Sequence, residues 1–586
     1  MLLTDNKKEF YDVIVQARAH VLVFVSHELD SISAAKIIRF IFECDHIPHT
    51  IVPIRTKNEL LRSYQEHRYN VKHILLINLC GTIDAYDLFI PDNDMKIFIA
   101  DAHRPFNVHN VYYDNHIYLM CSINGINNIE DEFRVIPKYE ELFWDSDIED
   151  DDDDTDVRNL SLDQLEKRNR FKQFESKRNK LVNDYEEYSY YSYSVALIFF
   201  DLVWKLGKDT NELLWLTILA VVDRINCYKI KEVESKKEIS YLFDSMVRLR
   251  NIRSDQGFVI PPQTNDGTQS ELVMKTNHLT ITYEKDLNLK LFREWSIYES
   301  LLHTMYISCK FKIWKFRGQR RLHLFLADIG IPLNECRQKF QSMDLDLRKS
   351  LLNLIEEKVE KYGISNIMGN CFMANRVLHH RYSCNDLAAA SRALLESPDK
   401  CKRSNQKFYD SYDSLSWSNI DLIDSGLNLA RQQLISISNQ VRLFMDSHQI
   451  QLLNNVLLYV NVSEGTVDEV LFCHPVCLRL LSIYTLNAYA SIHAKSGKNL
   501  RRPLVLITPD PERPGISIVC GISPLLAVKE CKSFFHQAYG TVSRRLAKAI
   551  PDWTFEENLI DPDIIYIKYS DRMAFLNELS LLLETN

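Results

Sequence analysis

The stretch Val21-Leu-Val-Phe-Val-Ser26-His-Glu-Leu-Asp30, which runs straight into SISAAKIIRFIFEC (Ser31–Cys44), decides the fold. Its first six residues are apolar or small, β-branched in half the positions, and too few for a helix, so they predict a strand buried on both faces. The following segment repeats apolar residues at Ile32, Ala35, Ile38 and Ile41, the spacing of a helix with one apolar face. Outward from this junction the alternation continues with TIVPI (50–54), helical NELLRSYQEH (58–67), HILLINL (73–79) and KIFIAD (96–101). Strands alternating with helices at this interval predict right-handed βαβ units and a doubly wound parallel sheet. In such sheets function collects at the carboxyl ends of the strands. The polar residues at those ends are Ser26-His27-Glu28-Leu29-Asp30, Asn78 and Asp101-Ala102-His103.

The whole chain has 586 residues, 46% apolar and 25% charged, which predicts an α/β protein of several domains and excludes collagen, wholesale disorder and small disulfide scaffolds. Seventy Lys and Arg against 79 Asp and Glu give a net charge of −9, so the surface as a whole does not attract a phosphate backbone. Nine of the acids lie in Asp145–Asp156, DSDIEDDDDDTD, which includes Asp145, Asp150 and Asp154. Without that insert the remaining body is neutral. The insert is too charged to bury apolar surface and predicts a disordered, regulatory loop that attracts basic partners. Ser146 and Thr155 are flanked by acids as acidophilic kinases prefer.

The opening MLLTDNKKEF lacks the apolar run of a signal peptide, and charges, Pro or Gly interrupt every 18-residue window, so the expectation is a soluble, intracellular chain. Thirteen scattered Cys without a CxxC pair predict buried thiols in a reducing compartment; Cys473-His474-Pro475-Val476-Cys477 lacks the second ligand pair of a zinc site. No GxxxxGK[ST] nucleotide-binding loop is present.

Residues 1–229 predict the first sheet domain, 230–400 a mostly helical interdomain region, and 401–586 a second αβ domain. Gly207, Gly330 and Gly363 stand where helices are expected to stop. In the last third NVLLYVNV, EVLFCHP, PLVLIT, GISIVCGIS and DIIYIKYS read as strands.

Around the strand ends the sequence resembles the DHH phosphoesterases, which include the RecJ exonuclease and use two divalent ions held by Asp and His. The pattern of that superfamily falls on Ser26, Glu28 and Asp30, then on Asn78, then on Asp101-Ala102-His103 in place of Asp-His-His, and finally on Asp223. Serine, amide and alanine stand where ligands belong, so the resemblance implies a phosphoesterase site that no longer assembles paired ions, and no cofactor. Plainer roles also exist for the survivors: Asp30 and Ser31 as a helix N-cap, Asp101 paired with Arg104, Asp223 paired with Arg224, and His103 as a hydrogen-bonded core residue.

KKEFYDVI, ECDHIPHTIVPI, ADAHRPFNVHNVY, FKIWKFRGQRRLHLFLADIGIPL, RQKFQSMDLDL, LLESPDK and EGTVDEVLFCHPVCLRLLS extend the likeness over nearly the whole chain. Together they resemble the cell division control protein 45 family of eukaryotic replication factors. The resemblance implies a DHH-like domain, a helical insertion and a C-terminal domain similar to DHHA1. It also implies a nuclear, non-catalytic subunit of the replicative helicase, the CMG complex, that bridges the MCM hexamer and the GINS tetramer and meets loading factors. The Gly-Gly-x-Gly-His element of active DHHA1 domains is absent; Gly515 and Gly521 stand alone. The alternative is an active metal-dependent single-strand exonuclease with an altered ligand set. In FKIWKFRGQRR, cations Lys312, Lys315, Arg317, Arg320 and Arg321 interleave with Phe311, Trp314 and Phe316. Two readings stay open there: stacking and neutralising single-stranded DNA, or a partner interface anchored by Trp314 and Arg317.

Overall fold

The computed structural model describes residues 1–68, 71–91, 94–113, 115–121, 123, 135–143, 162–255, 279–376, 380–416, 419–493, 501–525 and 530–585. Asp145, Asp150 and Asp154 of the acidic insert lie outside them. The first sheet comprises β1 (Leu2–Leu3), β2 (Val21–Ser26), β3 (His49–Ile54), β4 (His73–Ile77), β5 (Lys96–Ala100) and β7 (Ile117–Met120), in the spatial order β1-β7-β5-β4-β2-β3. Every neighbouring pair is parallel. Because side chains alternate along a strand, Val21, Val23 and Val25 of β2 enter one core with Ile38, Leu197 and Leu219, while Leu22 and Phe24 enter the opposite core with Leu60 and Tyr64. Helices therefore cover both faces: Leu29–Cys44, Val195–Lys205 and Asn211–Asn226 on one, Lys57–His67 on the other. The last of these starts at Thr56, whose side chain and that of Glu59 close a capping box.

A small antiparallel pair, β6 (His103–Arg104) with β8 (Tyr190–Tyr191), follows β5. The region read as mostly helical also contains a three-stranded antiparallel sheet, β9 (Leu279–Leu287), β10 (Met368–Arg376) and β11 (His380–Ser383). The strands carry polar residues such as Lys285, Asn370 and Arg381, so their apolar alternation is too weak to read from the sequence. Helices Phe316–Ile329 and Leu345–Tyr362 pack through Leu322, Phe325, Leu351 and Ile355 into a core of their own. They end at Gly330 and Gly363, both with positive φ.

The second large sheet is β12 (Gln451–Leu453), β13 (Leu457–Asn461), β14 (Leu504–Pro509), β15 (Ile516–Ile522), β16 (Phe555–Glu557) and β17 (Ile564–Lys568), ordered β12-β13-β14-β15-β17-β16. Only β13 and β14 are parallel among its pairs. The segment EVLFCHP, expected as a strand, is instead a short 3-10 helix, Glu469–Cys473, that leads into the helix Pro475–Ile492. Pro475 sits at the first position of that helix, where its missing N–H costs nothing.

Candidate functional site

The carboxyl ends of β2, β4 and β5 bring Ser26, Asn78 and Asp101 together, as the parallel order requires. Asp30 lies in the first turn of the helix Leu29–Cys44, not at its N-cap, which is Glu28. Asp30 serves a different helix. Its carboxylate accepts hydrogen bonds from Ser194 Oγ at 2.5 Å and from the backbone N–H groups of Val195 and Ala196 at 3.1 Å, the exposed amides at the start of Val195–Lys205. Asn78 Nδ2 donates to it as well, at 3.1 Å.

Asn78, with φ +50, sits at the centre of this arrangement. Its amide nitrogen also donates to Ser31 Oγ at 2.8 Å, and its Oδ1 accepts the Ala102 N–H at 3.0 Å. Ser26 Oγ is 2.7 Å from Ser31 Oγ. The methyl of Ala102 belongs to the apolar core.

Asp101 does not form an ion pair with Arg104, whose guanidinium reaches the backbone carbonyls of Asp101 and His103. The Asp101 carboxylate accepts the Gly81 N–H at 2.8 Å, the His103 N–H at 2.8 Å and His103 Nδ1–H at 2.6 Å. Gly81 is required there, since a Cβ would stand 2.6 Å from Asp101 Oδ2. His103 Nε2 lies 3.0 Å from the Ile560 carbonyl. Both ring nitrogens face acceptors, so both carry protons and the ring is an imidazolium with no lone pair to offer. Burial alone would push the Asp101 carboxyl up; the His103 charge and the hydrogen bonds outweigh it and hold the group below the usual carboxylate range. Burial would lower His103, but Asp101 outweighs it and raises it.

Glu28 pairs with Lys229, Nζ to Oε1 2.5 Å, with only 10% and 7% of the two side chains exposed. Burial would lower Lys229; Glu28, Tyr191 and Asp561 together raise it instead. Asp223 pairs not with Arg224 but with Arg392, from the helix Cys384–Leu395, and burial keeps its carboxyl above the ordinary value. Arg224 turns to Glu238 at 3.7 Å, whose carboxyl burial pushes up to about 7. Farther along, Glu396 accepts from Val476 N at 2.8 Å and Cys477 N at 3.1 Å, and Arg479 binds Asp561 and Asp563 at 3.1 and 3.0 Å. Lys229, Arg392, Gly81 and Ser194 escaped the sequence reading because no spacing links them to the strand ends: Lys229 is 201 residues from Glu28, and Arg392 169 from Asp223.

A cleft of about 360 Å³ opens beside Asp101 and His103 and is lined as well by Glu556 and Glu557 of β16 and by Asn558. Lys57, His103 and His536 are the basic groups on its walls. Among the described residues no group of three or more His, Cys, Asp or Glu is arranged to hold a metal ion, and no helix is long and apolar enough to cross a membrane.

In the helical insertion, Trp314 is buried at 7% exposure in a core with Val441, Leu478 and Tyr484, so it is a packing residue and not a surface anchor. Lys315, Arg317, Arg320 and Arg321 are exposed, flanked by Phe316 at 80% and Leu324 at 54% exposure. None of these four cations has an ion-pair partner among the described residues.

The CDC45 family model matches residues 21–161 and 138–582. The human cell division control protein 45 homolog is 32% identical over 598 residues, covering 100% of both chains. The homolog of Schizosaccharomyces pombe is 26% identical over 96% of this chain and 95% of its own. The crystal structure of CDC45 from Entamoeba histolytica, at 20% identity, aligns over 100% of both chains with a TM-score of 0.69. With a family model spanning nearly its full length and a relative at this identity over its full length, the chain belongs to the cell division control protein 45 family of DNA replication factors.

Proposed function

We propose that the chain is a non-catalytic structural subunit of the eukaryotic replicative DNA helicase, bridging the MCM hexamer and the GINS tetramer in the nucleus during initiation and elongation. The observation that carries this reading is the commitment of the strand-end polar groups to protein partners. Paired divalent ions need several free hard-oxygen ligands and an imidazole lone pair. Here Asp30 accepts four protein donors, His103 is an imidazolium, and Lys229 and Arg392 stand against Glu28 and Asp223. The donor set does not fit a two-metal centre, because cations of the protein itself occupy the places that the ions would neutralise.

What the pocket no longer offers, the surface does. The exposed Lys315, Arg317, Arg320 and Arg321 beside Phe316 and Leu324 make an unpaired basic and apolar face suited to a protein partner, since Leu324 adds burial but no base stacking. The cleft walls, which carry Asp101, Glu556 and Glu557 as well as the basic groups, give single-stranded DNA little to hold. The decisive experiment has two parts. Purified chain incubated with Mn²⁺ and labelled single-stranded DNA is expected to leave it intact; metal-dependent degradation abolished by Asp30→Ala overturns the reading. Co-purification is expected to retain the chain with both MCM and GINS, and to lose that retention when the basic face is neutralised.

A further inference from the structure

A second cavity, of about 70 Å³, lies where the three parts of the chain meet. Asn226 comes from the first-sheet helices, Lys290 and His303 from the insertion, Arg392 from Cys384–Leu395, Gln433 from Ile420–Asp446, and Leu480 and Tyr484 from Pro475–Ile492. Most of the wall is apolar. Its polar groups include donors and, in Asp386, one carboxylate. Lys290 Nζ meets only the neutral Asn226 Oδ1, at 2.6 Å, and no carboxylate lies within ion-pair distance of it among the described residues. Arg392 Nε and Gln433 Nε2 are buried and, among the described residues, without an acceptor. Gln433 is only 7% exposed. His303 is neutral, pushed down to about 4 by burial, and Asp386 on the same wall is pushed up to about 7 by burial. Burial and the Arg392 charge push the Lys290 ammonium down to about 8, outweighing the opposite pull of Cys227, Asp386 and Asp223.

A buried cation and two further unsatisfied donors around one cavity are costly unless something accepts from them. We propose that this cavity is an anion site, which takes a small oxyanion, a carboxylate or a phosphate group, between Lys290 Nζ, Arg392 Nε and Gln433 Nε2. Water would satisfy the hydrogen bonds but not the charge. Tyr228, which also lines the cavity, is itself 37% exposed. A bound anion would tie Lys290 and Arg392 of the insertion to Gln433 on the helix Ile420–Asp446, so occupancy couples the insertion to the last third of the chain.

The test is calorimetric titration of the full chain with inorganic phosphate and, separately, with acetate, in a buffer free of other oxyanions. One salt is expected to bind at one site per chain, and which one identifies the group. Lys290→Met is expected to weaken that binding about tenfold or more. Its thermal midpoint without anion should equal or exceed the parent's, because an unpaired buried charge has been removed. Gln433→Leu should weaken binding by about threefold to tenfold. Absence of binding by either salt overturns the proposal, as does binding that survives both substitutions unchanged.

Discussion

Two regions of this molecule use the same kinds of residue to opposite ends. At the carboxyl edge of the first sheet, Glu28, Asp101 and Asp223 are largely buried and each is met by an internal cation: Lys229, the His103 imidazolium and Arg392. At and just after the N-cap of the helix Phe316–Ile329, four cations stand in solvent with no ion-pair partner among the described residues. Lys315 and Arg317, at the start of that helix, oppose its dipole, so their placement costs stability and is not explained by folding. The lesson is that charge spent on neutralising an interior cannot serve an external ligand. At the strand ends the carboxylates are met from inside the fold, whereas Lys315, Arg317, Arg320 and Arg321 stand open to solvent.

The sharpest way to break the comparison is to remove Asp30. Asp30→Ala leaves Asn78, Ser194 and two helix amides without their acceptor and should destabilise the fold by about 4 kcal/mol in chemical denaturation. A loss near zero would mean the strand-end cluster is not a structural lock. Lys229→Met should cost about 3 kcal/mol by stranding Glu28, and adding Glu28→Gln should recover much of it. Additive losses in that double-mutant cycle would dissolve the pair.

A smaller effect comes from His103. Its folded value is raised, so its contribution to stability is complete below the unfolded value of about 6.5 and fades as pH climbs through the folded value. Asp101, whose value is lowered, contributes above about 3.9 and loses that contribution as pH falls through its folded value. His103→Gln should therefore cost about 1–2 kcal/mol near pH 6 and progressively less in alkali, read from denaturation midpoints across pH. A deficit independent of pH would show that His103 matters by shape alone. The smallest stability effect belongs to the exposed face: Arg317→Ala, Arg320→Ala and Arg321→Ala combined should shift stability by no more than about 0.5 kcal/mol. The same triple variant should abolish retention by helicase partners, and unchanged retention would move the interface elsewhere.

The strands of the first sheet were legible because a strand buried on both faces reads as a continuous apolar run; VLVFVS is β2 residue for residue. The strand ends then named Ser26, Asn78 and Asp101 as neighbours. The sheet of β9, β10 and β11 was not legible, because Thr280, Glu284 and Lys285 face solvent and blur the period of two. EVLFCHP misled for the converse reason: Leu471 and Phe472 are buried, yet the segment is a single tight turn into a helix. Local patterning reports which face is dry, and a short dry segment does not specify its backbone.

What the sequence determined by itself was chemistry by residue type: a serine, an amide and an alanine at the strand ends, and strand-forming runs that place them together. What only the tertiary structure decided was who answers each charge. Asp223 faces Arg392 and not its neighbour Arg224, and His103 reaches a carbonyl at Ile560. Trp314, aromatic and set among cations, turned inward. The physical reason is that periodicity is a local property of the chain, whereas the partner of a buried charge is chosen by whatever the packed domains bring within a few ångströms. Desolvation makes that choice obligatory, and no spacing along the sequence encodes it.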